Sequence, residues 1–251
     1  MMHFFFIVLI ICFFIYLYTL YFLSNDDLVI IKKDMPLDKV FNTAFLTGLM
    51  ALFSSRIFYI LFHPRPVFFS PLGFLLFPYF PGLSLLGAVI GGTLFLLFYA
   101  RKEKLPVGRL FDFSTIALLS CLPFGFLGLF VLNGSGYLAP FIFSFLIYGI
   151  LFFMFIKIFL RASFRNNLKN GSMGVMFLIL FSVVTFLTRV IEGFKHFNFL
   201  SLENAVLLGL LLVSAAIFLK EEVIGKREKK LQRLKSSMRM MIFWFWINPQ
   251  E

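Results

Sequence analysis

Charge is scarce in this chain. Only 14% of its 251 residues are Asp, Glu, Lys or Arg, 61% are hydrophobic, and the mean hydropathy is +0.96. A water-soluble domain cannot hide that much apolar surface, so a soluble fold is excluded. Carboxylates are fewer still, 12 in all. They form no chain through the apolar runs and no paired broken helices are evident, which argues against an ion-coupled transporter. The two cysteines, Cys12 and Cys121, both fall inside apolar runs. They read as small core or lipid-facing side chains, not as a disulfide or a metal pair. No metal-ligand spacing, Walker loop or serine-hydrolase elbow occurs, and no cofactor is called for.

What the chain has is long apolar runs. Crossing about 30 Å of hydrocarbon takes about 20 residues of helix. Seven runs qualify, at about 4–23, 40–62, 82–100, 110–132, 138–160, 174–191 and 202–219. The expected fold is therefore all-α, a polytopic membrane protein of about seven transmembrane helices. A domain over 1–219 carries the spans. The apolar piece "VFFSPLGFLLFPYF" (67–80) has two prolines and is too short to cross. It predicts an interfacial or re-entrant segment over 63–81 on the outer side.

The net charge of +11 suggests nucleic acid at first sight, but its placement points to topology and to no nucleic-acid partner. Nineteen of the 23 cations lie in the loops 24–39 and 101–109, around 157–169, and in the tail 220–251. With seven spans these segments share one side, which the positive-inside rule makes the cytoplasm. The N-terminus is then outside and the C-terminus cytoplasmic. The opening "MMHFFF" has no basic n-region and does not read as a cleavable signal. The tail predicts contact with anionic membrane lipid.

Four cations remain for the outer side: Arg56, Arg65, Arg189 and Lys195. They are joined there by His3, His63 and His196 and by two carboxylates, Glu192 and Glu203. Arg56 interrupts the apolar run "LFSSRIFYILF", and Arg189 closes the sixth span. Intramembrane arginines mark candidate sites, and the guanidinium fork suits phosphate. Arg189, Glu192 and His196, spaced i, i+3, i+7, share one face of a continuing helix. A structural Arg–Glu pair at a helix end is the competing reading. Gly87-x-x-x-Gly91 predicts close helix packing. "LNGSGYLAP" (132–140) is a polar outer turn, in which Asn133 and nearby N–H groups are a second candidate headgroup contact.

These pieces together resemble the prolipoprotein diacylglyceryl transferase family. "SSRIFYILF" is similar to that family's second-span arginine motif. "GLSLLGAVIGGTLFLLFYARKEKLPVGRLFDFSTIAL" (82–118) is the best match. "GFLGLFVLNGSGY" (125–137) resembles its loop ending in Asn-Gly, "TRVIEGFK" (188–195) its sixth-span Arg and Glu-Gly segment, and "LSLENAVLLGLLLV" its final span.

The resemblance implies a multi-pass protein of the bacterial plasma membrane. It implies transfer of diacylglycerol from phosphatidylglycerol to the lipobox cysteine in a lipoprotein precursor's signal peptide. Carried onto this chain, Arg189, Glu192 and His196 become the candidate catalytic residues. Arg56, Asn133, Gly134 and Lys195 become the candidate headgroup contacts. The chain departs from the family pattern at Leu86, Phe126 and Leu129, where members carry histidine, arginine and asparagine. The fifth-span opening "APFIFSF" keeps only Pro140 of the family's motif. Arg189 lies three residues before Glu192 instead of four. A second expectation follows, a family member that binds lipid or peptide without turnover.

Overall fold

The computed structural model describes residues 2–25, 27, 36–64, 66–69, 82–160, 169–192 and 201–220, and among them there is no strand. Seven helices follow the expected spans: α1 Met2–Asn25, α2 Leu37–Phe62, α3 Leu85–Lys102, α4 Val107–Asn133, α5 Leu138–Met154, α6 Ser172–Glu192 and α7 Leu202–Phe218. Six are long and apolar enough to cross a membrane. The seventh, α7, has 17 residues and runs on in a π-helical turn at 219–220. That brings it to about 28 Å, near the thickness of the hydrocarbon core. A π-helical stretch, Phe155–Leu160, likewise extends α5.

Local chemistry sets the ends. Pro36 precedes α2 and Pro106 precedes α4, where a missing N–H costs nothing. The Ser84 hydroxyl accepts from the Gly87 N–H at 3.3 Å and caps α3. The Ser201 hydroxyl does the same for α7 through the Asn204 N–H. Gly134, at φ +73°, turns the chain out of α4 into the short 3-10 segment Gly134–Tyr137.

Half of α4's most apolar stretch is buried, against 17% for α1 and for α2, so α4 is the central helix. It packs on α1, α5, α6 and α3. Ile116 and Leu119 of α4 meet Tyr148 of α5, Phe155 of its π-helical extension and Phe181 of α6 in the core, all fully buried. The pair α2–α3 packs closely, as Gly87-x-x-x-Gly91 predicts. A Cβ on Gly91 would stand 2.1 Å from the Ser54 Cβ, and one on Gly87 would stand 2.4 Å from the Phe58 Cβ. Among the described residues of the interfacial segment, Pro66–Phe69 forms one 3-10 turn; 70–81, Arg65 and the tail 221–251 lie outside them.

At the charge-rich end of the bundle, Arg109 is buried against Asp27, with Nε 3.2 Å from Oδ2, and its guanidinium lies 5.9 Å from the Phe113 ring centre. One turn on, the Asp112 carboxylate accepts from the Gly171 N–H at 2.8 Å and from the Gly174 N–H at 3.0 Å. These N–H groups open α6, where a helix has donors to spare and favours negative charge. The start of α4 thus ties the end of α1 to the start of α6. Arg109 counted in the sequence only as a topology signal, yet its contacts are those of a structural clamp.

Candidate functional site

At the opposite end Arg56 occupies a corner between α2 and α3. It is 3% exposed, and its Nη1 donates to the Gly82 carbonyl at 2.8 Å. Its guanidinium lies 4.9 Å from the centre of the Phe68 ring and 6.0 Å from that of Tyr59. The Ser84 N–H donates to the Ser55 carbonyl at 3.1 Å, which brings the chain entering α3 against α2. A Cβ on Gly82 would lie 2.0 Å from the Tyr59 ring, so only glycine lets the backbone come this close. His63, exposed, stacks on Tyr59 at 5.0 Å. Here Arg56 meets protein groups, and they enclose it.

Arg189 is placed differently. It sits in the last turn of α6, and its Nη1 pairs with Oε2 of Glu203 in the first turn of α7. The side chains keep 25% and 19% of their exposure. Glu192, at the end of α6, is exposed and lies within electrostatic reach of both. The carboxylate that Arg189 grips is therefore Glu203, across the helix pair, and not Glu192 three residues on. Tyr137 completes the cluster from the loop between α4 and α5. Burial pushes its phenol up to about 12, with Glu192 adding to the shift and Arg189 opposing it. At neutral pH it is a hydrogen-bond donor, not a base. Asn133 closes α4 and Gly134 follows it, next to Tyr137 in the chain. Lys195 and His196 lie outside the described residues, as does any continuation of α6 that would set His196 on the Arg189 face.

A cavity of about 280 Å³ runs between α1, α2, α3 and α4. It extends from Leu85 to Leu96 along α3, about 16 Å of helix rise. No Lys, Arg, Asp or Glu is among the described residues that line it, and Arg56 turns away while its neighbour Ser55 faces in. Its polar groups are hydroxyls and thiols, among them Tyr16, Ser114, Cys12 and Cys121. Phe126 and Leu129 line its wall. The Phe126 ring stacks on Tyr148 at 5.4 Å and 14°, and the Tyr148 hydroxyl lies 3.3 Å from the Thr185 hydroxyl, one turn before Arg189. The apolar cavity and the charged cluster are thus linked through α5 and α6. The cavity can take a hydrocarbon chain, and the Arg189 cluster can meet a polar, anionic group.

The sequence model of the prolipoprotein diacylglyceryl transferase family matches residues 1–220 of the chain. The chain belongs to this family. No curated protein matches it in sequence. The family is one of transferases that act on lipoprotein precursors with phosphatidylglycerol as donor, and the apolar helices make this member a multi-pass membrane protein. Two groups of the Arg189 cluster escaped the sequence. Glu203 is named there as an outer carboxylate without a partner, and Tyr137 only as the end of a turn. Their spacing from Arg189 carries no periodic signal. The helix start at Ser201 is the one clue that Glu203 opens a helix beside the end of α6.

Proposed function

We propose that the chain transfers diacylglycerol from phosphatidylglycerol to the lipobox cysteine of a lipoprotein precursor in the bacterial plasma membrane. The observation that carries this reading is the family match over residues 1–220. A reachable guanidinium at Arg189, joined to an apolar cavity through Thr185, Tyr148 and Phe126, supports it further. In the reaction the glyceryl carbon–oxygen bond to phosphate breaks and a carbon–sulfur bond forms. The thiol proton passes to a base, and glycerol phosphate leaves. A free thiol has a pKa of about 8.5, so the site must favour thiolate. Glu192 or His196 takes that proton. Arg189, with Lys195, holds the charge that grows on the departing phosphate. Asn133 and Gly134 lie at the headgroup end of the site. The cavity between α1 and α4 seats acyl chain. Arg56 braces the α2–α3 corner through the Gly82 carbonyl, and a headgroup contact falls to its other N–H groups.

A second reading rests on Phe126, Leu129 and Leu86. All three are apolar, Phe126 is stacked and Leu86 is buried. These side chains support a member that binds lipid without turnover. Complementation separates the two. The transferase reading predicts restored lipoprotein lipidation in cells depleted of their own transferase. Unlipidated precursor in cells that express the chain at full level would favour the binding protein.

A further inference from the structure

Three arginines have contrasting surroundings. Arg56 and Arg109 are 3% and 4% exposed, enclosed by Gly82 and Phe68 in one case and by Asp27 and Phe113 in the other. Arg189 is the reachable one, and it is already occupied. We propose that Glu203 is a specificity-determining residue. It holds the anion seat of Arg189, and a phosphate group enters that seat only by displacing it.

The chemistry of the seat carries the inference. A carboxylate and a phosphate accept from the same guanidinium fork, so they compete for it. With Glu203 in place and Glu192 within reach, the described groups are one cation and two carboxylates. The balance among these described groups is net negative, so a third anion binds best once one carboxylate withdraws. Glu203 is free to withdraw, because α7 does not depend on the pair for its start. The Ser201 hydroxyl accepts from the Asn204 N–H, and the Ser201 carbonyl accepts from the Ala205 N–H at 3.0 Å. Buried Asn204 and Leu207 anchor α7 besides. Released from Arg189, Glu203 still sits at the positive end of its helix. The exchange also sorts anions. A fatty-acid carboxylate offers Arg189 nothing beyond what Glu203 supplies. A glycerol phosphate group brings charge and further acceptor oxygens.

The anion's identity as a phosphatidylglycerol headgroup rests on the transferase reading, but the exchange itself does not. The test is calorimetric titration of the full chain in detergent micelles with short-chain phosphatidylglycerol, glycerol phosphate and decanoate. If Glu203 holds Arg189 about nine-tenths of the time, Glu203→Gln tightens phosphate binding about tenfold. Decanoate binding, weak in the wild type, rises with it. Glu203→Asp keeps the charge at α7 on a shorter arm and moves affinity the same way by less. Arg189→Gln removes the binding in either background. Tightening for both phosphates marks a headgroup seat, and tightening for glycerol phosphate alone marks a seat for released product; both support exchange. Weaker or unchanged binding in Glu203→Gln and Glu203→Asp, or tightening that survives Arg189→Gln, overturns it. Transfer is scored separately. A wild type with no transfer whose Glu203→Gln variant still tightens keeps the exchange and removes the transferase reading.

Discussion

Two carboxylate partners, Asp27 and Glu203, divide the arginines by job. Asp27 is fully buried against Arg109, and taking one member away strands the other without water. Arg109→Met therefore costs about 3–5 kcal/mol of stability, and adding Asp27→Leu recovers most of it. Thermal unfolding in detergent checks this, and a single variant as stable as the wild type would refute the clamp. At this scale the sequence was only partly legible. Arg189 and Glu192 stand out because charge inside an apolar run is costly. Arg109 did not, since a loop cation looks the same in sequence whether water or Asp27 surrounds it. The missed signal was "GRLFDF", where Asp112 follows Arg109 by one helical turn at the start of an apolar run.

Between elements, close approach of α2 and α3 carries the outer corner. Gly91 against Ser54 and Gly82 against Tyr59 bring α3 and the segment before it onto α2, and the Arg56 bond to the Gly82 carbonyl locks that position. Gly91→Leu forces the helices apart and costs about 1–3 kcal/mol or more. The readout is unfolding temperature together with accessibility of a cysteine placed at Ser55. A variant with neither change would show that the pair is not packed as described. The helices themselves were legible almost to the turn, because the hydropathy of a run acts locally. The partner of Arg189 was not, because it depends on how α7 lies against α6. The spacing of Arg189 and Glu192 favoured a pair within one helix, and the helix pair supplied a nearer carboxylate.

For the molecule as a whole, the seven described helices, with α4 central, put two polar clusters at opposite ends. The Arg109 clamp lies at the charge-rich end, and the Arg189 cluster lies at the end that cations avoid. The positive-inside rule makes that second end external. Reporter fusions at residues 135 and 220 should therefore report opposite sides, and a shared side would refute the orientation. The central claim is transfer chemistry at the Arg189 cluster, linked through Tyr148 to an apolar cavity in which Phe126 stands where the family pattern carries a cation. Its most direct test is diacylglyceryl transfer to a lipobox peptide in phosphatidylglycerol liposomes. A missing charge-assisted contact to a departing phosphate is worth about a hundred- to a thousandfold in rate. The account predicts slow thioether formation by the wild type, loss of it in Arg189→Gln, and acceleration of that order in Phe126→Arg. No transfer by either the wild type or Phe126→Arg, with both proteins folded and binding lipid, would contradict it.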